Sequence, residues 1–172
     1  LNESKVKYHI ASFEEFEMRW HIDIADNAGD ARWVGWKNEL TADFNSDDWT
    51  TFVAVKNNRP IGTGTLLLSP RCPGICDRPE LANGKTIANI SALRVDKEYE
   101  GQGHISKLVK AMEQYAEEKG CTRLTIGVEA KETRNLAIYL HWGYNEFVLS
   151  ETEDDTLVLY YAKSLHKEES GC

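Results

Sequence analysis

Apolar positions along the chain switch repeatedly between a period near two and a period near 3.6, so the sequence reads as one alternating series of strands and helices. Lys5 to Ile10 has the pattern of a short first strand. Ser12 follows as an N-cap with Glu15 three residues on, a capping box in which hydroxyl and carboxylate each satisfy the other residue's backbone N–H. Phe13, Phe16 and Trp20 continue into the helix it opens. Trp33, Trp36, Leu40 and Phe44 fall near helical spacing and predict a second helix over Arg32 to Phe44. Thr51 to Val55 and Pro60 to Leu68 predict a hairpin about Lys56 to Arg59, with Pro60 at a strand start, where its missing donor is tolerated. Pro, Gly and charged residues crowd Ser69 to Lys85, which reads as a long excursion between regular elements.

The next strand, Thr86 to Val95, changes phase along its length. Ala88 and Ile90 share one face of a regular strand, whereas Leu93 and Val95 share the other. A β-bulge near Ser91 and Ala92 would restore a single face; a strand buried on both faces would make the phase irrelevant. After a glycine turn, Ile105, Leu108, Val109, Met112 and Ala116 repeat as an amphipathic helix that Gly120 stops. Leu124, Ile126 and Val128 then alternate as a strand, and Thr133 to Trp142 forms a shorter helix stopped by Gly143. Glu146 to Glu151 and Thr156 to Ala162 close the series around Glu153-Asp154-Asp155. The strand–helix–strand unit over 86–128 should be a right-handed crossover between parallel neighbours.

The turn between Val95 and the following helix reads Asp96-Lys97-Glu98-Tyr99-Glu100-Gly101-Gln102-Gly103-His104-Ile105-Ser106. A strand, a glycine turn and a helix N-terminus together present unpaired N–H groups and a positive dipole end, which suits a phosphate or diphosphate. It is no Walker A loop, because Lys107 has no glycine before it. A dinucleotide fingerprint needs a third glycine where Ser106 stands, and an acid at a following strand end where Gly120 and Cys121 stand. Taken alone, the two glycines are also compatible with nothing more than a tight turn.

Composition narrows the class. The chain has 172 residues, 41% hydrophobic and 28% charged, enough for a single domain over 1–172. No apolar run approaches the ~20 residues of a membrane span, and the N-terminal residues lack the pattern of a secretory signal, so the expected location is cytoplasmic. Acids outnumber bases 28 to 20, a formal net charge of −8, which disfavours nucleic acid and anionic membranes and favours small cationic partners. Cys72, Cys76, Cys121 and Cys172 form no zinc pattern and are expected as free thiols; no metal is expected. His104 and His141 read as ordinary polar residues.

The run from Ala92 to Leu108, with Gly101 and Gly103, resembles motif A of the GNAT acetyltransferases, and Asn135 to Tyr144, with Tyr139, Gly143 and Tyr144, resembles motif B. Leu157 to Lys163 is similar to the last strand of that fold. Two positions depart from motif A: Glu100 stands where the family has Arg or Gln, and Ile105 where it has Gly or Ala. The resemblance implies an α/β fold, with a mixed, mostly antiparallel sheet of about six to seven strands. Helices would cover both faces, and a parallel, splayed strand pair would lie at the centre. It places the acceptor-side helices at about 12–44 and the acetyl-CoA core at about 86–145.

The implied activity is acetyl transfer from acetyl-CoA to a primary amine of a small cationic acceptor by direct attack on the thioester. A protein or peptide N-acetyltransferase, or a degenerate domain that binds CoA without turnover, remains compatible, as does a homodimer. The backbone of Leu93, Arg94 and Val95 would bind pantetheine and acetyl, Gly101, Gln102, Gly103, His104, Ile105 and Ser106 the diphosphate, and Asn135 the cofactor near the thioester. Such a reaction needs a base, an oxyanion donor and a proton source for the thiolate. Tyr139 is the implied general acid; its alternative is a core aromatic. Glu129, Asp96 and Glu39 are candidate bases, although a carboxylate of this kind is more often a solvated surface group, and a water chain could serve instead. Trp33, Trp36 and Glu39, with Arg32 and Asp43 beside them, are candidates to line the amine pocket through ring faces and negative charge; the alternative is a helix that packs Trp33 and Trp36 inward with its charges in solvent.

Overall fold

The computed structural model describes residues 4–44 and 46–165; Cys172 lies outside them. The elements are β1 (Lys7–Ile10), α1 (Phe13–Asp26), α2 (Arg32–Ala42), β2 (Trp49–Lys56), β3 (Arg59–Leu67), β4 (Ile87–Val95), α3 (His104–Glu118), β5 (Arg123–Glu129), α4 (Thr133–His141), β6 (Glu146–Glu153) and β7 (Thr156–Ser164). Among the described residues the strands form a mixed seven-stranded sheet in the order β1-β2-β3-β4-β5-β7-β6. β4 and β5 pair in parallel from Ile87↔Arg123 to Ile90↔Ile126, while β1–β2, β5–β7 and β6–β7 are antiparallel. No helix among the described residues is long and apolar enough to cross a membrane. The chain divides into two compact units at 65/66, 91/92 and 111/112.

In the unit formed by the N-terminal segment and the stretch from Ala92, α1 starts as its capping box predicts. Glu15 N–H donates to Ser12 Oγ at 3.1 Å, and Ser12 N–H to Glu15 Oε1 at 3.0 Å. Phe16, Arg19, Trp20 and Asp23 form its buried stripe at i, i+3, i+4 and i+7. Burying a side chain such as Phe16 contributes about 1.5–3 kcal/mol; a stripe that also buries an arginine and an aspartate needs its charges paired. α2 stops at Ala42, two residues earlier than its periodicity predicts. The chain turns there and the Phe44 ring packs 5.0 Å from both Phe13 and Phe16. β2 and β3 are joined at Asn57 and Asn58, both in the left-handed region (φ 51° and 61°) that asparagine tolerates.

The phase slip of β4 has both proposed causes. Ala88, Asn89 and Ile90 are all buried, so the first half of the strand is covered on two faces. Asn89 lies there because its amide donates to Thr125 Oγ1 at 2.8 Å. The second half begins with a bulge-like break at Ala92, whose φ is +55°.

In the other unit, β5 and β7 are paired over their length and Met112, Leu124, Ala162 and Tyr144 are fully buried. The excursion over 69–85 is no bare loop: Cys72, Ile75, Leu81 and Ala82 are buried, and Thr125 Oγ1 donates to the Leu81 carbonyl at 2.8 Å. Tyr144 donates to Glu113 Oε1 at 2.9 Å, and Lys163 Nζ reaches the same oxygen at 3.0 Å. A buried phenol and an ammonium thereby hold one carboxylate.

Candidate active site

The glycine turn lies wholly in the first unit. β4 is tied to its neighbour by Asp96 N–H, which donates to the Ile61 carbonyl at 2.8 Å, and a short 3-10 turn over Lys97–Tyr99 follows. Gly101 and Gly103 then take φ +73° and +83°, values an L side chain rarely adopts, and an added Cβ at either would meet nothing within 4 Å. The space beside the turn is open, and the first N–H groups of α3 have no partner within the helix. This arrangement fits a diphosphate held by backbone amides. Gln102 Nε2 donates to the Glu98 carbonyl at 3.2 Å, and the Glu100 side chain is exposed in the same turn.

His104 is not an ordinary polar residue of the surface. It is buried at the first position of α3, its Nδ1 is 2.7 Å from the Tyr8 hydroxyl, and its Nε2 is buried with no hydrogen-bond partner. Burial lowers its pKa, reinforced by the charges of Lys107 and Lys56. Ile105 and Ser106 are half-buried in the first turn of the helix.

Leu93, Arg94 and Val95 follow the Ala92 break and are half-buried. The Arg94 side chain is engaged by the protein itself. Its Nε donates to Asp23 Oδ2 at 2.7 Å, its Nη2 lies 2.7 Å from the same oxygen, and its Nη1 donates to the Ala92 carbonyl at 2.9 Å. Its guanidinium stands 5.0 Å from the Trp20 ring centre and 5.4 Å from that of Trp33. Asp96 is likewise taken: Arg19 Nη1 is 2.8 Å from Oδ1 and Arg59 Nη2 3.5 Å from Oδ2. Both carboxylate oxygens of Asp96 thus lie within ion-pair distance of an arginine. The sequence signal for this cluster is the placement of Arg19 and Asp23 on the same helical stripe as Phe16 and Trp20.

α2 carries the expected acceptor residues. Trp36 and Glu39 are exposed and Trp33 is half-buried. The Arg32 guanidinium lies 5.5 Å from the Trp36 ring centre, so the rings expected to receive a cationic acceptor already face arginines of the chain.

In the second unit, Tyr139 is half-buried on α4 with its ring 5.8 Å from that of Trp142. Burial raises its pKa, and the charge of Glu132 adds to the rise, so the phenol stays protonated through neutral pH. Asn135 Nδ2 donates to Glu132 Oε2 at 2.5 Å. Glu129, at the end of β5, has a side chain that is 41% exposed and pairs with Lys131 at 3.3 Å. Cys76 Sγ donates to the Pro73 carbonyl at 2.9 Å, and burial raises the thiol pKa of Cys121. Among the described residues, no group of three or more His, Cys, Asp or Glu could hold a metal ion.

A profile of the acetyltransferase (GNAT) family matches residues 10–144, and the chain belongs to that family. It is therefore a GNAT-type N-acetyltransferase with acetyl-CoA as cosubstrate. No curated protein is significantly similar to it in sequence. Its fold is similar to that of an aminoglycoside 6'-N-acetyltransferase crystallised with coenzyme A (TM-score 0.69, 12% identity, 95% of this chain and 99% of that one). It is also similar to the ribosomal-protein-S18-alanine N-acetyltransferase of Escherichia coli (0.68, 13%, 98% and 99%). A spermidine N-acetyltransferase chimera from Vibrio cholerae and hSSAT matches comparably (0.68, 11%, 94% and 96%).

Proposed function

We propose that the enzyme transfers acetyl from acetyl-CoA to the primary amine of a small cationic acceptor, by direct attack of the amine on the thioester carbonyl. The observation that carries the cofactor half is the pair of positive-φ glycines opening onto the N-terminus of α3. Their amides and those of Gln102, His104, Ile105 and Ser106 take the diphosphate, and the backbone of Leu93, Arg94 and Val95 takes pantetheine and the acetyl carbonyl. Polarising that carbonyl by N–H groups stabilises the oxyanion that forms on attack.

Tyr139 protonates the departing thiolate, a role that requires the neutral phenol which burial maintains. The proton lost by the amine passes through water to Glu129, whose carboxylate is exposed at the end of β5. Asn135 orients the cofactor near the thioester. The acceptor class rests on the net charge of −8, with Glu39 on α2 supplying negative charge. Trp33 and Trp36 shape the apolar wall rather than receive the cation, because Arg94 and Arg32 already face them.

The test is thiol release from acetyl-CoA across a panel of polyamines, aminoglycosides, amino-acid derivatives and peptides with free N-termini. Turnover with small polycations supports the reading. Turnover with peptides alone would move the acceptor to a protein N-terminus, and acetyl-CoA binding without release for any amine would mean a binding module.

A further inference from the structure

Arg94, Asp23, Arg19 and Asp96 form a line of alternating charge in one unit. Arg19 and Asp23 are one turn apart on α1, with Arg19 Nε donating to Asp23 Oδ2 at 3.0 Å and Nη2 to Oδ1 at 2.6 Å. Arg94 and Asp96 are two residues apart at the end of β4, and each is bound by the opposite charge of the helix, at 2.7 and 2.8 Å. Arg19 and Asp23 are only 3% and 5% exposed. A well-packed apolar set would hold helix on strand as firmly, so a buried charge array signals a need for geometry beyond stability.

That need is visible at Ala92. A residue with a Cβ gains nothing from a φ of +55°, and alanine has no side-chain group to secure it there. The clamp comes from two residues on: Arg94 Nη1 donates to the Ala92 carbonyl at 2.9 Å while Nε donates to Asp23. A planar guanidinium makes such bonds in fixed relative directions. Trp20 and Trp33 cover it and limit its swing.

We propose that Arg94 is a positioning residue: its guanidinium, oriented by Asp23 and walled by Trp20 and Trp33, holds Ala92 in the left-handed conformation and thereby aims the backbone of residues 93–95 at acetyl-CoA. This rests on the reading of that backbone as the pantetheine and acetyl contact. Asp23, and Arg19 through Asp96, act through Arg94 and the strand end without touching substrate.

The test joins a structural and a binding readout on the full chain. In isotope-labelled wild type, the Ala92 Cα and Cβ shifts and the three-bond HN–Hα coupling should report positive φ. Arg94→Ala should move them to the ordinary negative-φ range and weaken acetyl-CoA binding by about tenfold, the scale of one residue's left-handed penalty. Arg94→Lys keeps a cation opposite Asp23, and so the fold, but one ammonium cannot serve Asp23 and the Ala92 carbonyl in the same way. It should shift Ala92 and weaken binding too, and it replaces Arg94→Ala if that variant fails to fold. Adding Ala92→Gly to either variant should recover part of the affinity, because glycine enters the left-handed region without the Cβ penalty. Positive φ persisting at Ala92 in the Arg94 variants, or affinity within about twofold of wild type, would overturn the proposal. If wild type itself binds no acetyl-CoA, the cofactor reading fails, while the Ala92 signals still decide whether Arg94 holds the bulge.

Discussion

The Tyr8 hydroxyl lies 2.7 Å from Nδ1 of His104, joining the first strand to the first residue of the helix that follows the glycine turn. Removing the hydroxyl leaves a buried ring nitrogen unpaired. Tyr8→Phe is expected to cost about 1–3 kcal/mol of stability, read from the urea midpoint.

His104 also predicts a pH dependence. Its folded pKa is lowered, chiefly by burial, so folding favours the neutral ring. The stabilising contribution is present above the unfolded value of about 6.5 and is lost as pH falls through the folded value below it. Stability measured between pH 7.5 and 5 should therefore fall more steeply in wild type than in His104→Leu.

Gly103 has φ +83° with open space about its missing Cβ, so Gly103→Ala meets no clash and its whole effect is conformational. A loss of about 1 kcal/mol is expected. Acetyl-CoA affinity should fall as well, measured by calorimetric titration, because the amides proposed to hold the diphosphate would be re-aimed.

Tyr139→Phe retains the ring that packs near Trp142 and removes only the hydroxyl proposed as the proton donor. We expect kcat to fall by about 10²-fold, with acetyl-CoA binding little changed. Since the phenol pKa is raised, first by burial, any alkaline decline in wild-type kcat due to Tyr139 should lie above the ordinary phenol range. That decline should vanish in the variant. Equal loss of binding and of kcat would instead make Tyr139 a packing residue.

Glu100 places an exposed negative charge in the turn proposed to hold a diphosphate. Glu100→Arg reverses that charge and is expected to tighten acetyl-CoA binding by about five- to tenfold at low salt, with less gain as salt screens it.

Local signals were legible wherever neighbours in sequence are also neighbours in space. The Ser12–Glu15 box, the two-residue turns at Asn57-Asn58 and Asp154-Asp155, the stripe of α3 and the glycine turn each depend on contacts a few residues apart. The resemblance to motifs A and B rested on such runs, and the family match over 10–144 agrees with it.

Partners far apart in the chain followed a different logic. Arg94 and Asp23 are 71 residues apart, and Tyr8 and His104 are 96 apart; no periodicity encodes which charge meets which. Thus the sequence determined the order of strands and helices and the open glycine turn, through propensity, capping and φ preference. Only the tertiary structure decided that Asp96 pairs with Arg19 and Arg59, that His104 is buried, and that Arg94 reaches back to Ala92. Burial and pairing are properties of the packed chain, and they set the surroundings and the aim of each of these groups.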